Sequence, residues 1–364
     1  MNNPMEEAAA HTETGWQDEL GALNEFVRSN PEIRITPQSM RIPKPCREEF
    51  YARVDAVVEK LAGALAQKRL EEASEIAGRI VEVRNRICER SNLKQYRLPA
   101  SIENLVENPV KAVSGPLFEL VLDSVQNGRS GEEIEDRAQQ LLFPFLKDLQ
   151  RCAYEAWAYL TVIDAWKPIR FYGIVTTDFA KLTVAETDEA IVGYQFSSPD
   201  KRLPETVFET EDGKTVAVKT ETGLELDYYG EKVSREKGYS SGGNTVNELA
   251  HRVLLAYRFP SPQEVTLIAD AEKRFVKPTD LTCTFLLPSE MENEYLFSSF
   301  VRHIRTVRSL RPVQVLSFDE NGAFPEEWAA DPRIPGWERT AVGNDPEPLR
   351  RIAEKAFVIR KQEV

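Results

Sequence analysis

Residues 157–176 read WAYLTVIDAWKPIRFYGIVT, and within them the chain changes from a helical to a strand-like pattern. Apolar residues before Lys167 recur at the spacing of an amphipathic helix, and Lys167-Pro168 ends that pattern because a proline disrupts a helix interior. After Pro168 the chain breaks into short segments rich in β-branched and aromatic residues, which are typical of strands. This stretch therefore predicts an all-helical N-terminal domain followed by a mixed domain, an α+β fold.

Working backwards from this stretch, the pattern predicts a short helix behind a Thr14 cap and an extended, proline-rich linker over residues 30–45. Two apolar stripes over residues 47–90 predict two helices that meet at residues 67–72 and bury their stripes against each other.

The rest of the helical half has clear start and stop signals. Ser114-Gly115-Pro116 has the form of a helix start, and Asn127-Gly128 predicts a turn. A long helix is predicted over residues 131–166, with a kink or break at Pro144.

Working forwards, short β-rich segments and tight turns predict an antiparallel meander. Strands are predicted over residues 169–176, 190–196, 206–209, 214–220, 224–229, 264–268, 281–287 and 312–318. Helices are predicted over residues 245–257, 290–310 and 346–355. The order of the later elements predicts β-α-β connections after the meander.

The length of the chain favours two folded domains, because 364 residues is more than one domain usually contains. Residues 1–13 are acidic and carry no Lys or Arg, so we expect a disordered tail. The helical domain is predicted over residues 14–166 and the mixed α+β domain over residues 167–364.

The chain has no apolar run near the length of about 20 residues that a membrane-spanning helix needs. Its first residues also lack the basic and apolar regions of a secretory signal. We therefore expect a cytoplasmic protein without a membrane association.

The sequence is poor in the residue patterns that carry catalysis. It has 3 histidines, and its 4 cysteines lie far apart, so we interpret the cysteines as buried thiols. Glu248 and His251 could contribute to a metal site, but Glu248 also completes a helix-capping box with Thr245, and we favour the structural interpretation. No cofactor and no metal site are expected.

The first candidate binding site is the small-residue loop before that helix cap. Ser241, Gly242, Gly243 and Thr245 could present free backbone N–H groups at a helix N-terminus, an arrangement that suits a phosphate or carboxylate. The alternative is an ordinary surface loop ahead of an ordinary helix start.

The second candidate is a row of arginines. Arg302, Arg305 and Arg308 fall on one flank of the predicted helix 290–310, with an apolar stripe on another flank. Arginines in a row can bind carboxylates or phosphates bidentately. The alternative is that these arginines form ion pairs within the molecule or belong to a solvated face.

A nuclease site is a further alternative. Pro199-Asp200 followed by Asp212-Gly213-Lys214 matches a Mg²⁺-dependent nuclease motif in residue type and order. That chemistry needs the second acid and the lysine on a strand. Because Asp212-Gly213 is a turn signal, the lysine is predicted at a hairpin tip, and we do not favour this alternative.

The sequence therefore favours a non-catalytic cytosolic interaction or regulatory protein that docks onto a protein partner within a larger complex. The alternative is a phosphate-ligand or nucleic-acid-binding protein, including a phosphodiester hydrolase. Nucleic acid is not favoured as a partner, because a net charge of -13 opposes binding to a polyanion.

Overall fold

The computed structural model describes residues 15–176, 182–191, 204, 206–221, 253–268, 279–286, 310, 312–318 and 337–357. Within them the helices are α1 (Trp16–Ser29), α2 (Lys44–Ser91), α3 (Ala100–Glu107), α4 (Pro109–Asn127), α5 (Gly131–Ala165) and α6 (Glu347–Ala356). The strands are β1 (Arg34–Thr36), β2 (Ser39–Arg41), β3 (Gln95–Arg97), β4 (Pro168–Thr176), β5 (Leu182–Thr187), β6 (Glu189–Ile191), β7 (Thr206–Thr210), β8 (Thr215–Glu221), β9 (Val253–Phe259), β10 (Leu281–Leu286), β11 (Gln314–Ser317) and β12 (Glu338–Ala341).

The principal sheet has eight strands in the order β12-β11-β10-β9-β8-β7-β4-β5. Neighbouring strands from β5 through to β10 pair antiparallel, whereas β10 with β11 and β11 with β12 pair parallel. Parallel neighbours need crossover connections, in contrast to the short turns of a meander. The predicted α+β class, with an antiparallel meander followed by strands of β-α-β type, is confirmed.

The predicted pair of helices over residues 47–90 is wrong, because α2 is a single helix of 48 residues. Residues 67–72 read QKRLEE and contain neither proline nor glycine, so nothing in them ends a helix. The apolar stripes are nevertheless core positions, since Phe50 and Ile80, one from each stripe, are both fully buried.

The predicted helix start at Ser114-Gly115-Pro116 is also wrong, because Pro116 lies inside α4. The helix begins at Pro109 instead, where the Asn108 side chain accepts a hydrogen bond of 3.0 Å from the Val110 N–H. An asparagine cap followed by a proline is a stronger start signal than a proline behind a glycine. The predicted turn at Gly128 is confirmed, with a φ of 64°.

The predicted linker over residues 30–45 contains a small hairpin, since β1 and β2 pair antiparallel. The Gln126 side-chain amide donates to the carbonyl oxygens of Thr36 at 2.9 Å and Pro37 at 3.1 Å, and these bonds tie the hairpin turn to α4. At the N-terminus of α1, Gly15 occupies the cap position, in place of the predicted Thr14.

Two secondary-structure predictions for residues 253–268 are wrong. Residues 253–257 are predicted as the end of a helix but belong to β9, a central strand whose side chains are almost all buried on both faces of the sheet. Periodicity alone does not separate such a continuous apolar run from a buried helix. Residues 264–268 were predicted as a strand but lie in the 3-10 helix Pro262–Ile268, where the Ser261 carbonyl accepts the Glu264 N–H at 3.3 Å.

The described residues divide into two compact units. Unit 1 consists of residues 15–74 and 107–147, and its interior contains Trp16, Leu23 and Phe50, all fully buried. Unit 2 consists of the other described residues and contains the eight-stranded sheet. Helices α2 and α5 contribute residues to both units, and the predicted division of the chain at residue 166 stays a prediction.

In unit 2, one face of the sheet packs against the C-terminal part of α5 through aromatic rings. Phe208 lies 6.1 Å from Trp166, and Phe285 lies 5.1 Å from Tyr159, between ring centroids. These contacts agree with the expectation that the aromatic residues near the end of α5 belong to the core.

Several predictions concern residues outside those that the structure describes: the acidic tail 1–13, the strand 224–229 and the helix 290–310 apart from Leu310. Within the described part of the chain, none of the helices combines the length and the apolar character needed to cross a bilayer.

Candidate functional site

The binding residues singled out in the sequence all lie outside the described residues: Arg302, Arg305, Arg308, Ser241, Gly242, Gly243 and Thr245. The same holds for the capping box at Glu248 and for His251. Their grouping into an anion or partner site therefore stays a prediction.

The nuclease-like letters at residues 212–214 form the turn of the β7–β8 hairpin, where Gly213 has a φ of 72°. The Lys214 ammonium forms an ion pair with the Asp212 carboxylate. The Thr210 hydroxyl donates to the same carboxylate at 2.5 Å and accepts the Lys214 N–H at 3.1 Å. The acid and the lysine are thus partners within a turn, as the turn signal predicts.

A cavity of about 450 Å³ lies in unit 2 where the end of α5, the β7–β8 hairpin tip and α6 meet. Its apolar lining comes from Ala165, Trp166, Ala353 and Phe357. Its polar lining comes from Lys167, Thr210, Glu211, Asp212, Lys214 and Glu354. Its volume is in the range of natural ligand and side-chain binding sites.

Trp166 holds the apolar side of this cavity in place. Its indole Nε1–H donates to the Ala353 carbonyl oxygen at 2.9 Å, so the ring is tied to α6. The ring also lies 6.1 Å from Phe208 and 5.0 Å from Phe357, between centroids. With an exposed fraction of 8%, the indole is a buried part of the wall.

The backbone at Lys167 sets the edge of the cavity. Lys167 has a φ of 53°, a left-handed conformation that is unfavourable for residues other than glycine. Its carbonyl accepts the Glu211 N–H at 3.2 Å, and its N–H donates to the Asp164 carbonyl at 2.9 Å. These bonds connect the sharp exit from α5 to the hairpin tip.

The charged groups around the cavity are unequal in number. The Lys167 ammonium lies 3.3 Å from the Glu211 carboxylate, and Lys214 is paired with Asp212. The hydrogen bonds from Lys214 and Thr210 hold the pKa of Asp212 below its ordinary value. Glu354 is exposed and has no ion-pair partner among the described residues. Among the residues that the structure describes, one carboxylate of the cavity therefore remains uncompensated.

A buried acid fixes the end of α5 just ahead of the cavity. The Asp164 carboxylate accepts hydrogen bonds from the Arg86 Nε at 3.1 Å and the Arg90 Nη2 at 2.8 Å. The second Arg90 Nη group donates to the Asp164 carbonyl at 3.1 Å. Through these bonds α2 positions the residues that lead into Trp166 and Lys167.

Thiols and metal ligands form no site within the described residues. None of the four cysteines forms a disulfide; Cys46, Cys152 and Cys283 are buried, as expected, whereas Cys88 is half-buried. Burial raises the pKa of the Cys283 thiol, which makes it unreactive. No cluster of three or more His, Cys, Asp or Glu side chains suited to a metal ion occurs in the described segments.

Comparison with known proteins gave no relative: no family model, no curated protein and no solved structure matched the chain.

The sequence predicted two of the local structures around the cavity. The helix stop at Lys167-Pro168 and the turn at Asp212-Gly213 are both evident in the sequence, and both line or border the cavity. Their meeting with residues 353–357 was missed, because no local pattern indicates which distant segments come together.

Proposed function

We propose that the protein is a cytoplasmic, non-catalytic interaction protein that docks onto a protein partner within a larger complex, in an adaptor or regulatory role. The cavity at Trp166 is its docking point. The observation that carries the proposal is an aromatic wall, held by the hydrogen bond from Trp166 to Ala353, beside a charged rim and around a volume of about 450 Å³.

This combination suits the anchoring of a side chain from another protein. Binding energy at protein interfaces concentrates in a few anchor side chains that enter well-packed pockets, surrounded by polar groups at the rim. The Trp166 indole is held by its bond to Ala353 and by neighbouring rings, so the wall needs no reordering when a partner binds.

The charges at the rim support binding rather than proton transfer. Both lysines of the cavity have carboxylate partners, Glu211 for Lys167 and Asp212 for Lys214. General acid–base catalysis near neutral pH favours a group whose pKa lies near the operating pH. The pKa of Asp212 is moved away from neutrality, since it lies below its ordinary value.

The test fills the mouth of the cavity without altering the core. Glu354→Trp places a large ring at an exposed position of the cavity lining, and Glu75→Trp makes the same change at an exposed position on α2. Wild type and both variants are isolated gently from the protein's own cells and analysed by native mass spectrometry. We expect a stoichiometric polypeptide partner with wild type and with Glu75→Trp, and its loss with Glu354→Trp.

Two outcomes contradict the proposal. Equal recovery of the partner with both variants means that docking occurs elsewhere on the molecule. A chain isolated without any polypeptide partner, or with a phosphorylated small molecule instead, removes the docking function and favours the phosphate-ligand alternative.

A further inference from the structure

We propose that the anchor entering the cavity at Trp166 is a basic side chain, a lysine or arginine in an exposed segment of the partner. This inference rests on the proposed docking function and names the chemistry of the docked group. It is carried by the balance of charges around the cavity and by the nature of its walls.

The balance of charges disfavours an acidic anchor. The cavity is lined by Glu211, Asp212 and Glu354 on the acidic side and by Lys167 and Lys214 on the basic side. Each lysine is within ion-pair distance of a carboxylate of the hairpin tip, so the charge of each ammonium is already compensated. A carboxylate or phosphate entering here meets an excess of negative charge, which costs binding energy.

Glu354 supplies the attraction for a cation. It projects from α6, is exposed, and has no ion-pair partner among the described residues. A basic group beside it makes a charge-assisted hydrogen bond and neutralises the remaining negative charge of the rim.

The apolar wall suits the stem of the same side chain. Lysine and arginine bury their methylene chains along apolar surface while the charged head stays near water. Phe357 and Trp166 provide that surface, and Glu354 lines the same cavity. Aromatic rings add attraction for a cation positioned over their faces.

The experiment titrates the full-length protein with capped tripeptides whose central residue is arginine, norleucine or glutamate. The readout is the indole N–H signal of Trp166 in a ¹H–¹⁵N spectrum, which shows the indoles of all 5 tryptophans. Trp166→Phe assigns that signal. We expect the arginine peptide to shift it most, the norleucine peptide less, and the glutamate peptide not at all.

The charge is tested by Glu354→Gln, which keeps the size of the side chain, with Glu75→Gln as the matched control. We expect the arginine peptide to bind about two- to fivefold more weakly to Glu354→Gln, as for an exposed ion pair, and unchanged to Glu75→Gln. Equal shifts with the arginine and glutamate peptides, or equal binding by both variants, overturn the inference.

Failure of this inference is distinguishable from failure of the docking function. A protein partner that is lost with Glu354→Trp but whose dissociation constant is unchanged by Glu354→Gln leaves docking intact and overturns the basic anchor. An arginine peptide that binds as expected, in a protein that recovers no partner, leaves the preference of the cavity for a basic group intact and overturns the docking function.

Discussion

Asp164 is the residue on which the exit from α5 depends most. It is buried, and it accepts hydrogen bonds from the guanidinium groups of Arg86 and Arg90 while its carbonyl accepts a third. A buried carboxylate is stable only when it is paired in this way, and removing one member leaves the other charges without compensation.

We expect Asp164→Asn to lower the free energy of unfolding by about 2 kcal/mol, because charge-assisted bonds to both arginines are lost. Urea unfolding followed by circular dichroism measures the difference. Asp136→Asn on the same helix is the matched control, since Asp136 is exposed, and we expect it to change little. Equal effects of the two substitutions would show that the arginine contacts do not stabilise the fold.

Asp212 gives a prediction with a defined pH dependence. Its bonds with Lys214 and Thr210 lower its pKa in the folded protein below the ordinary value of 3.8. The stabilisation is therefore fully present above the unfolded-state pKa and is lost as the pH falls through the lowered, folded-state pKa. Because the pair is largely exposed, we expect a contribution of at most about 1 kcal/mol.

The measurement compares urea unfolding of wild type and Asp212→Asn at about pH 7 and about pH 2, with Asp55→Asn, an exposed change on α2, as control. We expect the wild type to be the more stable protein at the higher pH only. A difference that persists unchanged at the lower pH contradicts an electrostatic origin.

At the scale of elements, α2 shows how helix propensity decides between one helix and two. Lys68 is exposed and lies in the interior of the continuous helix, within the region where the sequence pattern suggested a junction. Glycine in a helix interior costs about 1 kcal/mol relative to alanine, whereas glycine in a turn does not.

We therefore expect Lys68→Gly to be less stable than Lys68→Ala by about 1 kcal/mol in urea unfolding. The pair of substitutions removes the same charge, so only the backbone preference differs between them. Equal stability of the two variants points to a turn at this position.

The arginine row on the predicted helix 290–310 tests the alternative function. The measurement is the binding constant for duplex DNA at a series of salt concentrations. Because the chain has a net charge of -13, we expect this constant not to fall steeply as the salt concentration rises. If the logarithm of the binding constant falls by several units for each tenfold rise in salt concentration, at about 0.9 per phosphate contact, the result supports nucleic-acid binding instead. In that case, replacing Arg302, Arg305 and Arg308 by glutamate abolishes the binding, and replacing them by lysine retains most of it.

At the scale of the whole molecule, the cavity combines segments that are far apart in the chain. Residues 165–167, 210–214 and 353–357 line it, and they belong to a helix exit, a hairpin tip and the end of α6. All of them lie in unit 2, so the cavity is a property of that unit by itself.

The amino-acid sequence by itself determined the α+β class, the exit from α5 at Lys167-Pro168 and the hairpin turn at Gly213, since these follow from local periodicity and from the backbone preferences of proline and glycine. Only the tertiary structure decided that residues 253–259 form a central strand and that Trp166 meets Ala353. The physical reason is that burial on both faces of a sheet and contacts between distant segments override local preference and leave no periodic pattern in the chain.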